Sequence, residues 1–223
     1  APRRGLLIIL SSPSGAGKTT LFDLICGLTI ADRGEITAGG TALPLSRPDI
    51  RVKHGLARSF QLNAAFESLS VADNLLLSAR FGRTPAIATP ERIADVAAEF
   101  DLTDVMETPA GALSVLQSKI LMLACACCAD PEVILLDEPV GGLSPAEIDA
   151  YREIVLRLNR DEGITFLVIE HVMPFLMSIS NRVIFLHEGK VAFDGAPADL
   201  ARDRRIVSLY LGETVASLLT EDA

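Results

Sequence analysis

The feature that most constrains the fold is Ser11 to Thr20, SSPSGAGKTT, directly behind the apolar run Leu6 to Leu10. An apolar run, a tight glycine-bearing loop and a helix-spaced segment, in that order, predict a strand that turns into a phosphate-binding loop and then a helix. Gly15 and Gly17 let backbone N–H groups converge on one anion, and Lys18 reaches the outer phosphates. Thr19 offers its hydroxyl to Mg²⁺, and the positive end of the following helix faces the same point. Ser12, Pro13, Ser14, Gly15, Ala16, Gly17, Lys18, Thr19 and Thr20 are therefore the expected cradle for a nucleoside triphosphate, ATP or GTP. The full pattern, Gly-x₄-Gly-Lys-Ser/Thr, has glycine where Ser12 stands.

The rest of the chain supplies a core large enough to carry such a site. It has 223 residues, 49% of them hydrophobic, which fits one large domain or a domain with a helical insertion. A formal net charge of −9 argues against nucleic acid as a partner, because a phosphate backbone needs a basic face. Apolar runs such as Gly5 to Leu10 and Val133 to Leu136 fall short of the roughly 20 residues that span a bilayer. No charged-then-apolar leader is read at the start, so a cytoplasmic protein is expected, docked on something membranous.

Strand and helix patterns alternate along the chain. Lys18 to Leu28 has helical spacing, and Asp32-Arg33-Gly34 reads as a turn into a short strand, Glu35 to Ala38. Ile50 to Phe60 carries no regular pattern, and Gln61 taken alone reads as a surface glutamine. Residues 71 to 108 read as helical, one helix opening at Val71 and another at Pro90, joined by the connector Gly82 to Pro90. A further helix, capped by Ser114, runs to about Ala129. Cys125 and Cys128 form a C-x-x-C within it, but no second pair or nearby histidine completes a zinc site, and they read as part of a buried helix of small apolar residues.

Val133 to Leu136 predicts a buried strand, and it ends in Asp137-Glu138-Pro139. Paired carboxylates at the end of an apolar strand are costly without a partner, and Mg²⁺ held by the phosphates supplies one. Pro145 to Asn159 is the next helix, capped by Ser144, and Ile164 to Ile169 the next strand, ending in Glu170-His171. His171 thus sits at the same kind of strand end as Asp137 and Glu138, where open α/β sheets gather their ligands. Arg182 to Leu186 and Lys190 to Asp194 predict a hairpin, and Pro197 to Gly212 a helix. The whole pattern implies an α/β protein with a parallel sheet.

From about Leu21 to Gly212 the chain resembles an ABC transporter ATP-binding subunit, most of all the importer ATPases for branched-chain and other hydrophobic amino acids. The resembling stretches are TTLFDLICGL, DRGEI, GLARSFQ, VADNLLL, LS..Q, VILLDEPVGGLSP, VIEHVM and VSLYLGE, in that order. The resemblance implies a P-loop NTPase with a parallel RecA-like core sheet over 1–69 and 129–213, a helical subdomain over about 70–128 and a tail over 214–223. It also implies MgATP hydrolysis in a head-to-tail dimer with a second ATP-binding subunit, docked on transmembrane permease subunits at the inner face of the cell membrane.

Site roles follow from the same resemblance. Gln61 would contact Mg²⁺ and the attacking water, Asp137 would hold Mg²⁺, Glu138 would polarise the water and His171 would contact the γ-phosphate. Ser114, in the signature segment, would cap the phosphate of the partner subunit. That segment reads Leu113-Ser114-Val115-Leu116-Gln117 where the family has Leu-Ser-x-Gly-Gln, and a leucine there is expected to project into the space that glycine leaves for the phosphate. Cys125 replaces the usual basic residue, Ser144 stands where Asp or Asn is usual, and no aromatic precedes the phosphate loop to stack on adenine. A subunit that binds nucleotide but turns over weakly therefore stays open beside the active one. Residues 3–21, RRGLLIILSSPSGAGKTTL, also resemble the opening of a bacterial guanylate kinase, in which serine at the position of Ser12 is normal. The GMP-binding segments of that family have no counterpart further on.

Overall fold

A six-stranded sheet organises the molecule, in the order β4-β5-β6-β1-β7-β8. Its strands are β1 (Leu7–Ser11), β4 (Leu56–Ser59), β5 (Val133–Asp137), β6 (Thr165–Ile169), β7 (Arg182–His187) and β8 (Lys190–Gly195). The first five in spatial order pair in parallel, and β7 and β8 close one edge as the antiparallel hairpin expected from sequence. A separate two-stranded ribbon joins β2 (Thr37–Ala38) and β3 (Thr41–Ala42). The computed structural model describes residues 7–11, 18–38, 40–59, 65–200 and 202–203.

Strand residues alternate between two apolar layers, as a sheet covered on both faces requires. Ile134, Leu136, Phe166, Val168, Val183 and Phe185 belong to the larger core cluster. Their neighbours Leu135, Leu167 and Ile169 belong to a second cluster with Phe22 of α1 (Lys18–Cys26). The larger cluster is continuous through α3 (Val71–Phe81), α4 (Pro90–Glu99) and α5 (Val115–Cys128), which lie between β4 and β5 in the chain, and through α6 (Pro145–Asp161) and α7 (Met173–Ile179). Cys127 and Cys128 are buried in it, in keeping with the reading of α5 as a helix of small apolar residues.

Local chemistry sets the boundaries. Ser70, Thr89, Ser114 and Ser144 each accept a backbone N–H of the first helical turn with the side-chain oxygen. Ser114 and Ser144 complete reciprocal capping boxes with Gln117 and Glu147. At the far end of α1 the helix stops at Cys26 rather than Leu28, because Gly27 adopts φ 74° and the Leu28 N–H turns back to the Asp23 carbonyl at 2.8 Å. Gly82 marks a close approach: a Cβ there would lie 2.6 Å from Ala129 Cα, so the end of α3 rests against the end of α5.

Several expectations are corrected. The strand expected over Glu35 to Ala38 shrinks to Thr37–Ala38. Ile50 to Phe60, without pattern in the sequence, holds the end of the short helix α2 (Pro48–Lys53) and then β4. Within 71 to 108, the residues between and after α3 and α4 include short 3₁₀ turns at Pro85–Ile87 and Thr103–Val105 rather than continuous helix. Met173–Ile179 is helical without having been expected to be. Of the helix expected over Pro197 to Gly212, α8 (Pro197–Leu200) is described; residue 201 and residues 204–212 lie outside the described residues, as does the tail from Thr214. Among the described residues no helix is long and apolar enough to cross a membrane.

Candidate functional site

Parallel strands bring three candidate residues to one edge of the sheet. Asp137 ends β5 opposite Ile169, the last residue of β6, and Glu170 and His171 follow directly. Strand β1 lies beside β6 and runs the same way, so its C-terminal end reaches that edge too. Ser12, Pro13, Ser14, Gly15, Ala16, Gly17 and Gln61 lie outside the described residues. Lys18 opens α1, and Thr19 and Thr20 are exposed on its first turn.

Glu138 adopts φ 49°, in the left-handed region that costs a non-glycine residue about 1–3 kcal/mol. Surrounding bonds hold it there. Its N–H donates to the Ile169 carbonyl at 2.8 Å, and its carbonyl accepts from Gly141 N–H and from Lys119 Nζ, each at 3.3 Å. The turn directs the Glu138 carboxylate to within 3.7 Å of His171 Nδ1, with both side chains partly open to solvent. Burial pulls the Lys119 ammonium below the ordinary lysine range, against the opposing pull of the Glu170 and Glu138 carboxylates.

Asp137 is only 4% exposed, and one of its partners is Arg58 of β4, whose Nη2 donates to Oδ2 at 3.0 Å. Arg58 is thus a cationic partner within the protein, beside the Mg²⁺ that the sequence leads one to expect at this carboxylate. Glu170 is also buried, with Oε1 accepting from Val140 N–H at 3.2 Å and Oε2 from His171 N–H at 2.7 Å. It ties the turn after β5 to the turn after β6. Neither Arg58 nor Glu170 was picked out from sequence. For Glu170 the signal was available, since it ends an apolar strand as Asp137 does; for Arg58 it was not, because β4 has four residues and no legible period.

Ser114 is exposed at the start of α5, where its hydroxyl accepts from Gln117 N–H at 3.2 Å. Leu116, at the glycine position of the signature, is partly buried. Its side chain packs against the main core, because position 116 falls on the inner side of the helix, and Val115 is the residue left exposed. Between this helix and the Asp137–Glu138 turn lies a cleft of about 620 Å³, lined among others by Lys119, Glu138 and Tyr151.

The donor set suits Mg²⁺. Among the described residues no group of three His, Cys, Asp or Glu side chains could enclose a metal. One carboxylate and one hydroxyl, Asp137 and Thr19, would suit a Mg²⁺ ion whose other ligands are phosphate oxygens and water.

Comparison with known proteins agrees with this layout. The family described as ABC transporter matches residues 3–141, taking in the segment that resembles guanylate kinase. The chain is 30% identical to the high-affinity branched-chain amino acid transport ATP-binding protein BraF of Pseudomonas aeruginosa, over 93% of this chain and 87% of that protein. It is also 30% identical to the lipopolysaccharide export system ATP-binding protein LptB of Haemophilus influenzae, over 93% of this chain and 86% of that one. Among solved structures, MJ1267, an ATP-binding cassette of an ABC transporter, superposes with a TM-score of 0.84 at 24% identity, covering 95% of this chain and 90% of that one, a likeness of fold.

Proposed function

Since the chain belongs to the ABC transporter family, as an ATP-binding subunit whose ATP hydrolysis is coupled to transport, we propose that it drives import of branched-chain or other hydrophobic amino acids. The likeness to BraF along nearly the whole chain supports that cargo. In this reading residues 12–20 cradle the phosphates, with Lys18 on the outer ones, and Thr19, Asp137 and Gln61 serve Mg²⁺. When bound, Mg²⁺ would offset part of the negative charge of the phosphates.

The observation that carries the chemistry is the approach of Glu138 to His171 at 3.7 Å beside the end of β5. Phosphoryl transfer needs alignment and charge stabilisation more than covalent help. Glu138, held at positive φ, accepts a hydrogen bond from the attacking water and orients it, while His171 and Lys18 stabilise charge on the γ-phosphate. Ser114 acts in trans, capping the phosphate of a second ATP-binding subunit in a homo- or heterodimer. Permease subunits dock on the helices between β4 and β5, which we take as a subdomain over about 70–128. Exposed Phe66 and Phe81 beside an apolar cleft of about 360 Å³ support that docking face. The working location is the inner face of the cell membrane, from the cytoplasmic side.

Phosphate release from MgATP by the purified chain tests the reading. GMP-independent release that Glu138→Gln lowers by about 10²–10⁴-fold, with MgATP still bound, is the expected result. ADP formation that requires GMP would replace it with a phosphotransferase. A second reading, nucleotide binding with weak turnover, is favoured by Leu116, which stands at the glycine position of the signature segment, and by Cys125 in place of the usual basic residue. Tight MgATP binding without release would select it. The cargo is tested by ATP-dependent leucine uptake into vesicles carrying the chain with a permease that co-purifies with it; uptake unchanged by ATP would remove the amino-acid assignment.

A further inference from the structure

The Arg58 guanidinium joins two elements of the site that the chain keeps far apart. Its Nη1 donates to Asp23 Oδ1 of α1 at 2.5 Å, and its Nη2 donates to Asp137 Oδ2 at the end of β5 at 3.0 Å. Its Cζ lies 5.5 Å from the centroid of the Phe22 ring. The arginine side chain is 8% exposed and that of Asp137 3%, so the Arg58–Asp137 contact is made largely out of water. Carboxylate rotation about χ2 is soft, and a buried carboxylate keeps one orientation only if a directional partner fixes it.

A planar guanidinium is suited to that task. It can reach two carboxylates at once with fixed angles between its N–H bonds, whereas a lysine ammonium offers one point of charge. Stacking on Phe22 holds its plane, and Phe22 sits in the second core cluster with Leu135 of β5. The helix that follows the phosphate-binding segment and the strand that ends in Asp137 are thereby locked to one another.

We propose that Arg58 is a positioning residue for the metal site: by bridging Asp23 and Asp137 it sets the orientation in which the Asp137 carboxylate meets Mg²⁺ beside α1. The inference rests on the metal role proposed for Asp137. Partners that orient a metal-binding side chain are commonly worth about 10–100-fold in metal affinity.

The test compares the affinity of the whole chain for a fluorescent, non-hydrolysable ATP analogue in EDTA and in Mn²⁺, for the unaltered protein, R58K and D23N. Arg58→Lys keeps the charge and loses the fork; Asp23→Asn removes the second anchor. The expected result is affinity in EDTA within about twofold of the unaltered protein for both variants. The gain in affinity on adding Mn²⁺ falls about tenfold in R58K and less, in the same direction, in D23N. An unchanged Mn²⁺ gain in both variants overturns the inference alone, and so does a loss in EDTA as large as the loss in Mn²⁺. Should R58K fail to fold, an unchanged gain in D23N overturns it. An unaltered protein that gains nothing from Mn²⁺ overturns the metal reading and this inference with it.

Discussion

Glu170 offers a quantitative probe of how the turns after β5 and β6 are held together. Its side chain is fully buried and accepts one backbone N–H from each turn, Val140 at 3.2 Å and His171 at 2.7 Å. Glu170→Ala removes both acceptors. Val140 is 1% exposed, so its N–H loses any partner and costs about 1–3 kcal/mol, while His171 is exposed enough for water to take over part of its bond. The sum expected for Glu170→Ala is about 2–4 kcal/mol of unfolding free energy. Glu170→Gln keeps one carbonyl oxygen and the same shape, and about 1–2 kcal/mol is expected. Urea unfolding with unchanged m-value measures both. A Glu170→Ala protein within about 0.5 kcal/mol of the unaltered one would refute the reasoning, because it would mean that Val140 N–H finds another acceptor.

Arg51 of α2 gives a test of opposite sign. It is 1% exposed, and among the described residues none of its side-chain nitrogens has a hydrogen-bond partner, so Arg51→Met is expected to raise stability by about 1–3 kcal/mol in urea unfolding. A loss instead would show that the guanidinium is satisfied in solution. The thiols of α5 set a pH limit: burial pushes Cys125 up to about 11 and Cys128 up to about 12 from the ordinary value of 9.0. Thiols that stay protonated in the folded state while the unfolded chain ionises give stability that is full below about pH 9 and falls as pH rises through about 11 and 12. Urea unfolding between pH 7.5 and 11 should show that decline, and a Cys125→Ala/Cys128→Ala variant a shallower one; identical slopes would contradict the assignment.

How much of the site was legible depends on how local its chemistry is. Asp137-Glu138 was legible because two carboxylates closing an apolar strand break the pattern within five residues, and the structure brings His171 to 3.7 Å of that pair. The caps Ser114 and Ser144 were legible for the same reason: each acts three residues from itself. The cradle over residues 12–17 and Gln61 rest on sequence alone. Arg58 was hidden. Asp23 and Asp137, to which it donates, lie 35 and 79 residues away, and nothing within Leu56–Ser59 distinguishes a buried, paired arginine from a surface one.

Sequence by itself thus determined the elements whose causes are short-range: apolar strands, capped helices, and membership of a family defined by an ordered set of such segments. Tertiary structure alone decided which elements are neighbours. The order β4-β5-β6-β1-β7-β8 sets β5 beside β4, where Arg58 can reach Asp137, and beside β6, where Glu170 can link the two turns. It also packed the partly buried Leu116 against the core and left Val115 exposed. The physical reason is range. Propensity and capping act over a few residues, whereas the partner of a buried charge is fixed only when distant strands pack.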